Sequence, residues 1–440
     1  MVTRHSSFTT IRILQALHMT ERFRAWYLLE TSHDVGLVAE ILAGEQSTAK
    51  GVRLPGDTGD EIHERYGARI ESIELLDESA RPSLPSREQG GGVCRRAEVC
   101  LSWPVHNVGA SLPILWVTLL GNQVGMRQLS GIRLRRLELP ASFVRGCPLP
   151  QFGIHGTRRL TGVYGRPLIG CIVKPNIGLT PEQTAGAVRE LAASGIDFIK
   201  DDELIASPPY SPLAARVAAV MPVIDEIAQG TGRKVMYAFN ITDEYDQMLR
   251  HHDTVLAAGG TCVMVDINGV GLSGLASLRR HCQLPIHGHR AGWAMFTRSP
   301  ALGMDFQPYQ AIHRLAGVDH LHVSGLGGKF WEDFDTVLSS ARHCLTPLSS
   351  GPGRDDRAMP VFSGGSTIHQ AAPTFHGAGT ADLIYTCGTG IMGHPVDLAS
   401  GCRSMRQAWE AALQGIPLRH YAKTHPELAA ALSGRRDPVH

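Results

Sequence analysis

The stretch Gly195-Ile196-Asp197-Phe198-Ile199-Lys200-Asp201-Asp202-Glu203 joins an apolar run to a lysine and three consecutive carboxylates. The apolar part has the length and composition of a buried strand, and the charges begin where that strand would end. A lysine beside carboxylates can be held neutral, can be carbamylated by carbon dioxide, or can form an ion pair. The first two states would create a metal site, so the stretch predicts both an element of the fold and its chemistry.

Seven further short apolar runs resemble this one, and helical patterns separate them. The first of these helices has a clear start, with Thr180 as N-cap, Pro181 at the first helical position and Gln183 completing a capping box. Eight strands that alternate with helices over about 250 residues are typical of a (β/α)8 (TIM) barrel. A doubly wound sheet is the rival architecture, but no glycine fingerprint follows the first strand. The predicted strands are 168–173, 196–200, 234–239, 261–266, 284–288, 319–323, 359–363 and 382–387.

Patterning divides the chain into four segments. We expect a disordered extension over residues 1–18, with Met1 and Met19 as alternative starts, an α+β domain over 19–140, the barrel over 141–425 and a tail over 426–440. Within the α+β domain a helix is predicted from Val35 to Gly44. Strands are predicted there at 23–30, 67–76, 97–103 and 116–120, and a linker at 140–156.

The bulk composition excludes several classes of protein. Lys and Arg number 42 against 41 Asp and Glu, so the net charge of +1 gives no reason to expect nucleic acid or an anionic membrane as partner. No apolar run approaches the length of about 18 residues that a membrane span requires. The nine cysteines form no Cys-x-x-Cys motif, which favours reduced thiols and a cytoplasmic location.

Candidate catalytic groups lie at the C-terminal ends of the predicted strands, where barrels of this kind place their active sites. Lys174 ends the first strand and could move a proton, although a solvated lysine would look the same. Lys200 and Asp202 share one face of the second strand, and Glu203 can turn toward them. These oxygen ligands would suit magnesium, and the ordinary alternative is a solvated acidic strand end.

The remaining strand ends carry groups that suit an anionic substrate. His289 and Arg290 follow the fifth strand, and Arg290 offers a forked donor for phosphate or carboxylate. His322 opens a glycine-rich loop that ends in Lys329 and could act as a lid. Glycine turns at Ser363-Gly364-Gly365 and Gly388 stand where barrels commonly cradle phosphate. Each feature alone has an ordinary structural explanation, but together they predict a magnesium-dependent enzyme for a phosphorylated, oxygen-rich substrate.

This set of strand ends resembles the large subunit of ribulose-bisphosphate carboxylase/oxygenase (RuBisCO) and its relatives, the RuBisCO-like (form IV) proteins, over residues 19–425. The resemblance implies a ferredoxin-like N-terminal α+β domain before the barrel. The motifs that carry it are Gly170-Cys171-Ile172-Val173-Lys174-Pro175, Asp197 to Glu203, His287-Gly288-His289-Arg290-Ala291, Gly328-Lys329, Ser363-Gly364-Gly365, Gly388 to Pro395, Gly44 to Thr48 and Gly121-Asn122.

The resemblance also implies roles for single residues. Lys200 would be the carbamylated lysine and would bind Mg²⁺ with Asp202 and Glu203, Lys174 would act near the proton being removed, and His289 would line the metal site. One end of the substrate would contact Arg290, His322 and Ser363, and the other would contact Lys329, Gly364, Gly365 and Gly388. Glu45 and Asn122 would reach the site from a partner subunit, which implies at least a homodimer with shared active sites.

Departures from the carboxylase pattern argue against carbon dioxide fixation. Asn176 replaces a second lysine, Trp293 replaces a histidine, Lys50 replaces a phosphate-contacting threonine, and Thr389 replaces a glycine. After Lys329 the loop reads Phe330-Trp331-Glu332 instead of Leu-Glu-Gly. We therefore expect a RuBisCO-like lyase or hydrolase that stabilises an enediolate with Mg²⁺ but does not carboxylate.

The preferred substrate is the branched oxo acid 3-oxo-isoapionate 4-phosphate, cleaved by decarboxylation, transcarboxylation or hydrolysis in apiose-type sugar catabolism. A β-oxo acid needs no separate carbon-acid base, and Lys50 and Arg290 could face its extra negative charge. The alternatives within the family are the diketo-methylthiopentyl-phosphate enolase and the methylthioribulose-phosphate isomerase of methionine salvage. The enolase would need a lysine where Asn122 stands. An alternative of another class is a non-catalytic barrel that binds a sugar phosphate.

Overall fold

The computed structural model describes residues 21–49, 60–86, 88, 92–350 and 353–434. The extension at 1–18, Met19 and Lys50 lie outside the described residues. Two compact units make up the chain. The first unit contains the residues up to Pro148 together with 292–315 and 347–354, and the second contains 149–291, 316–346 and the residues from Asp355 onward.

The strands and helices are numbered in chain order among the described residues. The strands are β1 (Arg22–Thr31), β2 (Arg69–Ser79), β3 (Cys94–Pro104), β4 (Gly131–Glu138), β5 (Leu168–Ile172), β6 (Phe198–Lys200), β7 (Met236–Asn240), β8 (Cys262–Asp266), β9 (Ile286–His289), β10 (Leu302–Met304), β11 (His320–His322), β12 (Met359–Phe362) and β13 (Ile384–Thr386). The helices are α1 (Val35–Glu45), α2 (Asp60–Tyr66), α3 (Leu112–Leu120), α4 (Ala141–Arg145), α5 (Gly153–Thr161), α6 (Pro181–Ala193), α7 (Leu213–Thr231), α8 (Tyr245–Ala257), α9 (Ile267–His281), α10 (Ala294–Thr297), α11 (Phe306–Ala316), α12 (Phe334–Leu345), α13 (Ala371–Ala378), α14 (Gly388–Met392), α15 (Leu398–Leu413), α16 (Leu418–Tyr421) and α17 (Pro426–Ser433). Among these helices, none combines the length and the apolar character that a bilayer crossing requires.

The first unit is built on a five-stranded sheet in the order β10-β4-β1-β3-β2. The predicted helix α1 and strands β1, β2 and β3 are confirmed. The predicted strand at 116–120 is wrong, because these residues belong to helix α3. Ser111 caps this helix by accepting from the Ile114 amide, and a proline in the first turn fixes its start.

Three further expectations from the sequence need correction. The segment 140–156 is not a plain linker, because it contains α4 and the start of α5. The barrel unit continues past the predicted boundary at residue 425, because residues 426–433 form helix α17, which packs against α15. Residues 292–315 interrupt the barrel sequence and join the first unit, where β10 pairs in parallel with β4.

The second unit is the predicted closed barrel of eight parallel strands, in the order β5-β6-β7-β8-β9-β11-β12-β13. All eight strands predicted after residue 165 are present. The Thr180 capping box that starts α6 is confirmed. Apolar side chains from the strands and α5 fill the interior, so the strands are buried on both faces. The C-terminal strand ends, called the barrel mouth below, therefore gather the polar residues that come after each strand.

The opposite end of the barrel is held by Asp319, which is fully buried. One carboxylate oxygen accepts from the Phe152 and Gly153 amides at 2.6 and 2.8 Å. The other accepts from the Ile286 amide at 2.8 Å and from the buried Arg279 guanidinium at 2.9 Å. A single carboxylate thus ties together the starts of α5, β9 and β11.

We expect Asp319→Asn to lower the free energy of unfolding by about 3 kcal/mol, because an amide cannot replace all four acceptor contacts and leaves Arg279 buried without its countercharge. Urea unfolding followed by circular dichroism measures this loss. The matched control is Asp225→Asn, which removes a half-exposed surface pair with Lys234 and should cost less than about 1 kcal/mol. Equal losses of unfolding free energy in the two variants would contradict the role of Asp319 in holding this end of the barrel together.

Candidate active site

The charged stretch at the end of β6 forms a compact cluster in the barrel mouth. Lys200 is 1% exposed, and its ammonium lies 3.5 Å from a Glu203 carboxylate oxygen. Asp202, also buried, accepts from the Lys174 ammonium at 2.8 Å. The structure therefore brings together the four residues that the sequence predicted at the ends of β5 and β6.

Asp201 explains why its neighbours point into the mouth. Its own carboxylate faces away from them. It accepts from the Arg216 guanidinium at 3.1 Å, the Tyr237 hydroxyl at 2.5 Å and the backbone amide of Asn240 at 2.9 Å. Because side chains alternate along an extended chain, this anchor directs Lys200 and Asp202 to the other side. The Asn240 side chain then holds the Asp202 and Glu203 carbonyls.

Burial and the neighbouring carboxylates act in opposite directions on the charge of Lys200. Burial lowers the pKa of Lys200, although the neighbouring carboxylates oppose that shift. Burial alone would raise the pKa of Glu203, but His289 and Lys200 hold it at about 2. The carboxylates of Asp202 and Glu203 offer oxygen donors that fit a hard divalent cation, and Lys200 would offer more once its amine carries a carboxylate.

His289 lies beside this cluster at the end of β9. Its Nε2 is 3.5 Å from a Glu203 oxygen, and its Nδ1 is 3.4 Å from Asp266. Burial lowers the pKa of His289, so the ring is neutral near pH 7. Sequence reasoning missed Asp266, although a carboxylate at the end of the predicted fourth strand was a readable signal.

A chain of buried histidines runs from the mouth into the barrel. The Thr157 hydroxyl donates to the Gly153 carbonyl and therefore accepts from Nε2–H of His320, at 2.7 Å. We assign the rest by the same logic: Nδ1–H of His287 faces His320 at 3.4 Å, and Nε2–H of His322 donates to His287 at 2.7 Å. Ser363 then donates to Nδ1 of His322 at 2.8 Å.

Each imidazole in the chain is neutral. Burial lowers the pKa of His287 and His322 well below the ordinary value and lowers that of His320 to about 4. Since the chain of hydrogen bonds has one direction, both ring nitrogens of His322 and the Ser363 proton are used inside the protein. His322 and Ser363 are thus brought together as predicted, but neither presents a cation to the mouth.

The loop after β11 carries Lys329 and packs on the turn after β12. The Lys329 amide donates to the Gly364 carbonyl at 3.0 Å. A Cβ atom at Gly328 would collide with that same carbonyl, so only glycine permits this approach. Gly364 and Gly365 have positive φ angles of 93° and 103°. The predicted Lys329, Gly364 and Gly365 are therefore neighbours, and Gly388 lies after β13 at the start of α14.

Arg290 lies beyond His289 and bonds to two residues of the same loop. It donates to the Ser324 hydroxyl at 2.7 Å and to the Glu332 carboxylate at 2.8 Å. Sequence reasoning noted Glu332 only as a departure from a motif. No sequence signal pairs Glu332 with Arg290, because the contact depends on the path of the loop.

In the first unit, Glu45 and Asn122 are adjacent. The Asn122 amide donates to the Glu45 carboxylate at 3.0 Å, where the end of α1 meets the turn after α3. Trp293 packs against Tyr309 with ring centres 4.4 Å apart. The contribution of Glu45 and Asn122 to a partner's active site stays a prediction, as does the effect of Trp293 on the substrate cavity.

A second cluster of metal-ligand types lies on α8 and α9, away from the strand ends. Asp253 accepts from His252 at 2.9 Å and His281 at 2.6 Å. The other ring nitrogen of His252 accepts from the Gln283 amide at 3.1 Å. Because His252 has a protein partner at each nitrogen, we interpret this cluster as a clip between two helices.

Comparisons with known proteins agree with this geometry. Residues 153–434 match the family described as ribulose bisphosphate carboxylase large chain, catalytic domain. The chain is 51% identical, over 94% of its length and 99% of the relative, to the 3-oxo-isoapionate-4-phosphate transcarboxylase/hydrolase of Xanthobacter autotrophicus. It is 45% identical, over 92% of its length and 97% of the relative, to the 3-oxo-isoapionate-4-phosphate decarboxylase of Rhizobium rhizogenes. The crystal structure of a rubisco-like protein from Burkholderia fungorum matches with a TM-score of 0.89 and 45% identity, covering 94% of this chain and 100% of that one.

The buried histidines should make stability depend on pH. A histidine with a folded-state pKa of about 4 binds its proton more readily when unfolded, so stability is lost as the pH falls from about 6.5 toward 4. We expect His320→Gln to flatten this loss by about 1.4 kcal/mol per pH unit. Urea unfolding at several pH values between 4.5 and 7.5 measures how steeply the free energy of unfolding depends on pH in the parent protein and in the variant. Parallel curves for the variant and the parent protein would show that His320 is not the titrating group.

Proposed function

The chain belongs to the ribulose bisphosphate carboxylase large-chain family, and we propose that it is a magnesium-dependent, non-carboxylating enzyme that cleaves a carbon–carbon bond of 3-oxo-isoapionate 4-phosphate. The cluster of the buried Lys200 and Asp202 with the half-buried Glu203 is the observation that carries the chemistry. The two relatives of 45–51% identity, both named for this substrate, support its identity. Their names differ in the fate of the cleaved carboxyl group, so the proposal covers decarboxylation and hydrolytic or transfer cleavage.

Lys200 is the residue that we propose to be carbamylated. Only a neutral amine attacks carbon dioxide, and the product is a carbamate plus a released proton. Burial of Lys200 favours the neutral amine. Mg²⁺ held by this carbamate, Asp202 and Glu203 would supply positive charge for the negative charge that develops on the substrate oxygens.

Lys174 is the group placed to hold a proton for the substrate. Its ammonium donates to Asp202 at 2.8 Å and to the Asn176 side chain at 2.7 Å, and the side chain is partly exposed in the mouth. When a β-oxo acid loses carbon dioxide, the bonding electrons move toward the oxo group and the enolate then takes a proton on carbon. A positioned ammonium can deliver that proton.

We also propose at least a homodimer in the cytoplasm. Glu45 and Asn122, which are hydrogen-bonded to each other, would complete the active site of a partner subunit. All nine cysteines lie in the described part of the chain, and each is buried and outside any disulfide bond. Cysteines in this number without a disulfide bond support a reducing compartment.

The substrate proposal is tested with 3-oxo-isoapionate 4-phosphate labelled with ¹³C in its carboxyl group, in the presence of Mg²⁺ and bicarbonate. We expect a smaller phosphorylated product by ¹³C and ³¹P NMR. Label appearing as bicarbonate identifies decarboxylation, and label kept in an organic acid identifies hydrolytic or transfer cleavage. Lys200→Ala should lose at least about 100-fold in turnover together with its Mg²⁺ dependence.

The control for that variant is Lys234→Ala, which removes a surface lysine paired with Asp225 and should keep full activity. Turnover of a methylthio sugar phosphate in place of the oxo acid would assign the chain to methionine salvage. Ligand binding without any turnover would favour the non-catalytic barrel.

Gly328→Ala tests the placement of Lys329. The added methyl group collides with the Gly364 carbonyl, so it should displace the loop and lower kcat/KM by about 100-fold. The matched control is Gly186→Ala, at an exposed position in α6 with open space around it. This control should keep kcat/KM and raise stability by about 0.5–1 kcal/mol. Equal activity of the two variants would contradict the role of the loop.

A further inference from the structure

The arginine end of the mouth, defined by Arg290, Ser324 and Glu332, is a hydrogen-bonded network. Arg290 donates to both carboxylate oxygens of Glu332, at 2.8 and 3.2 Å, and to the Ser324 hydroxyl at 2.7 Å. Ser324 in turn donates to Glu332 at 2.6 Å. All three residues are buried. A guanidinium placed to receive an anion thus already has one, supplied by the protein.

The backbone holds this arrangement in place. Ser324 has a φ of 73°, in the left-handed region that residues with a Cβ atom rarely occupy. Such a strained backbone conformation persists where the surrounding contacts hold it in place. Here the Ser324 hydroxyl makes two such contacts, one with Arg290 and one with Glu332. The network is therefore a built feature of the loop after β11.

Two polar residues next to this end, His322 and Ser363, add no positive charge to it. His322 is neutral and uses both ring nitrogens within the histidine chain, and the Ser363 proton points to His322. A phosphate brought to this end would meet the Glu332 carboxylate and find no net charge to balance its own. A hydroxyl group would instead find oxygen acceptors on Glu332 and Ser363.

The lysine end of the mouth, defined by Lys329 and the Gly364-Gly365 turn, differs in charge. The Lys329 ammonium lies 5.2 Å from the centre of the Phe330 ring. Within the described ranges, no carboxylate forms an ion pair with Lys329. The two ends of the mouth are thus electrically unlike, with a cation available at only one of them.

We propose that Glu332 is a specificity-determining residue that neutralises Arg290, so that the site accepts a substrate with one phosphate, held at the lysine end, and a hydroxyl group at the arginine end. This inference deepens the proposed function, on which the choice of a monophosphate substrate rests. The charge argument itself applies to any polyol phosphate that enters the mouth.

The test uses inert ligands, so that it does not depend on turnover. Isothermal titration calorimetry compares a pentitol 1-phosphate with a pentitol 1,5-bisphosphate. For the parent protein with Mg²⁺ and bicarbonate we expect the two affinities to agree within about threefold, because the second phosphate gains no charge-assisted bond. Glu332→Gln, which keeps the shape but removes the charge, should bind the bisphosphate at least about tenfold more tightly and change the monophosphate affinity far less.

Two further variants make the result specific. Adding Arg290→Met to Glu332→Gln should abolish the gain, since the gain comes from the released guanidinium. Glu226→Gln, the same chemical change at an exposed pair with Arg189, should leave the ratio of affinities as in the parent protein. Melting temperatures confirm that each variant is folded, and Glu332→Ser provides a second way to remove the charge if the glutamine variant is unstable.

The inference is overturned if the parent protein prefers the bisphosphate by tenfold or more, which would mean that the ligand displaces Glu332. It is also overturned if neither Glu332 variant changes the ratio of affinities. Failure of the oxo acid to turn over, with the expected shift in ligand affinity, would instead reject the proposed reaction and leave the role of Glu332 intact.

Discussion

The burial of Lys200 is the constraint on which the rest of the mouth depends. An ammonium inside a barrel is stable only with carboxylates beside it, and Asp202 and Glu203 supply them. Conversion of Lys200 to a carbamate would reverse its charge. The cluster would then hold three negative charges against the single positive charge of Lys174, an imbalance that one divalent cation corrects. In the proposed site, this charge balance would link carbon dioxide and Mg²⁺.

Strands hold the groups proposed for the chemistry, and a loop holds the groups proposed for selectivity. Lys200 and His289 end the strands β6 and β9, and Asp201 fixes the direction of the first. Lys329 and Glu332 both belong to the loop after β11. Rigid strand ends place reacting groups more accurately than loops do, whereas a loop can change without disturbing the barrel. Such a division lets one set of strand ends serve different substrates.

The sequence predicted the barrel well because eight apolar runs alternate with helical patterns, and polar or glycine-rich segments directly follow most of these runs. In a parallel barrel, the C-terminal ends of all the strands meet at one face, so the charged residues after several apolar runs could be assigned together to one site. Residues 116–120 show where this logic fails. A five-residue apolar run fits a strand or a helix, and the deciding signals, Ser111 and Pro113, lie upstream of the run. The place of residues 292–315 depends on the pairing of β10 with β4, which no local pattern encodes.

The Arg290–Glu332 pair could not be predicted from the sequence, because it also depends on a tertiary contact. This pair changes how the loop after β11 is interpreted. A glycine-rich loop tipped by Lys329 suggests a hinged lid, yet the structure fixes it on both sides of that lysine. On one side the Lys329 amide bonds to Gly364, and on the other Glu332 bonds to the buried Arg290. Breaking a buried ion pair leaves a charge without compensation and costs several kcal/mol. The pair therefore holds Lys329 in position before any substrate arrives, and the contact that neutralises one end of the mouth also preorganises the other.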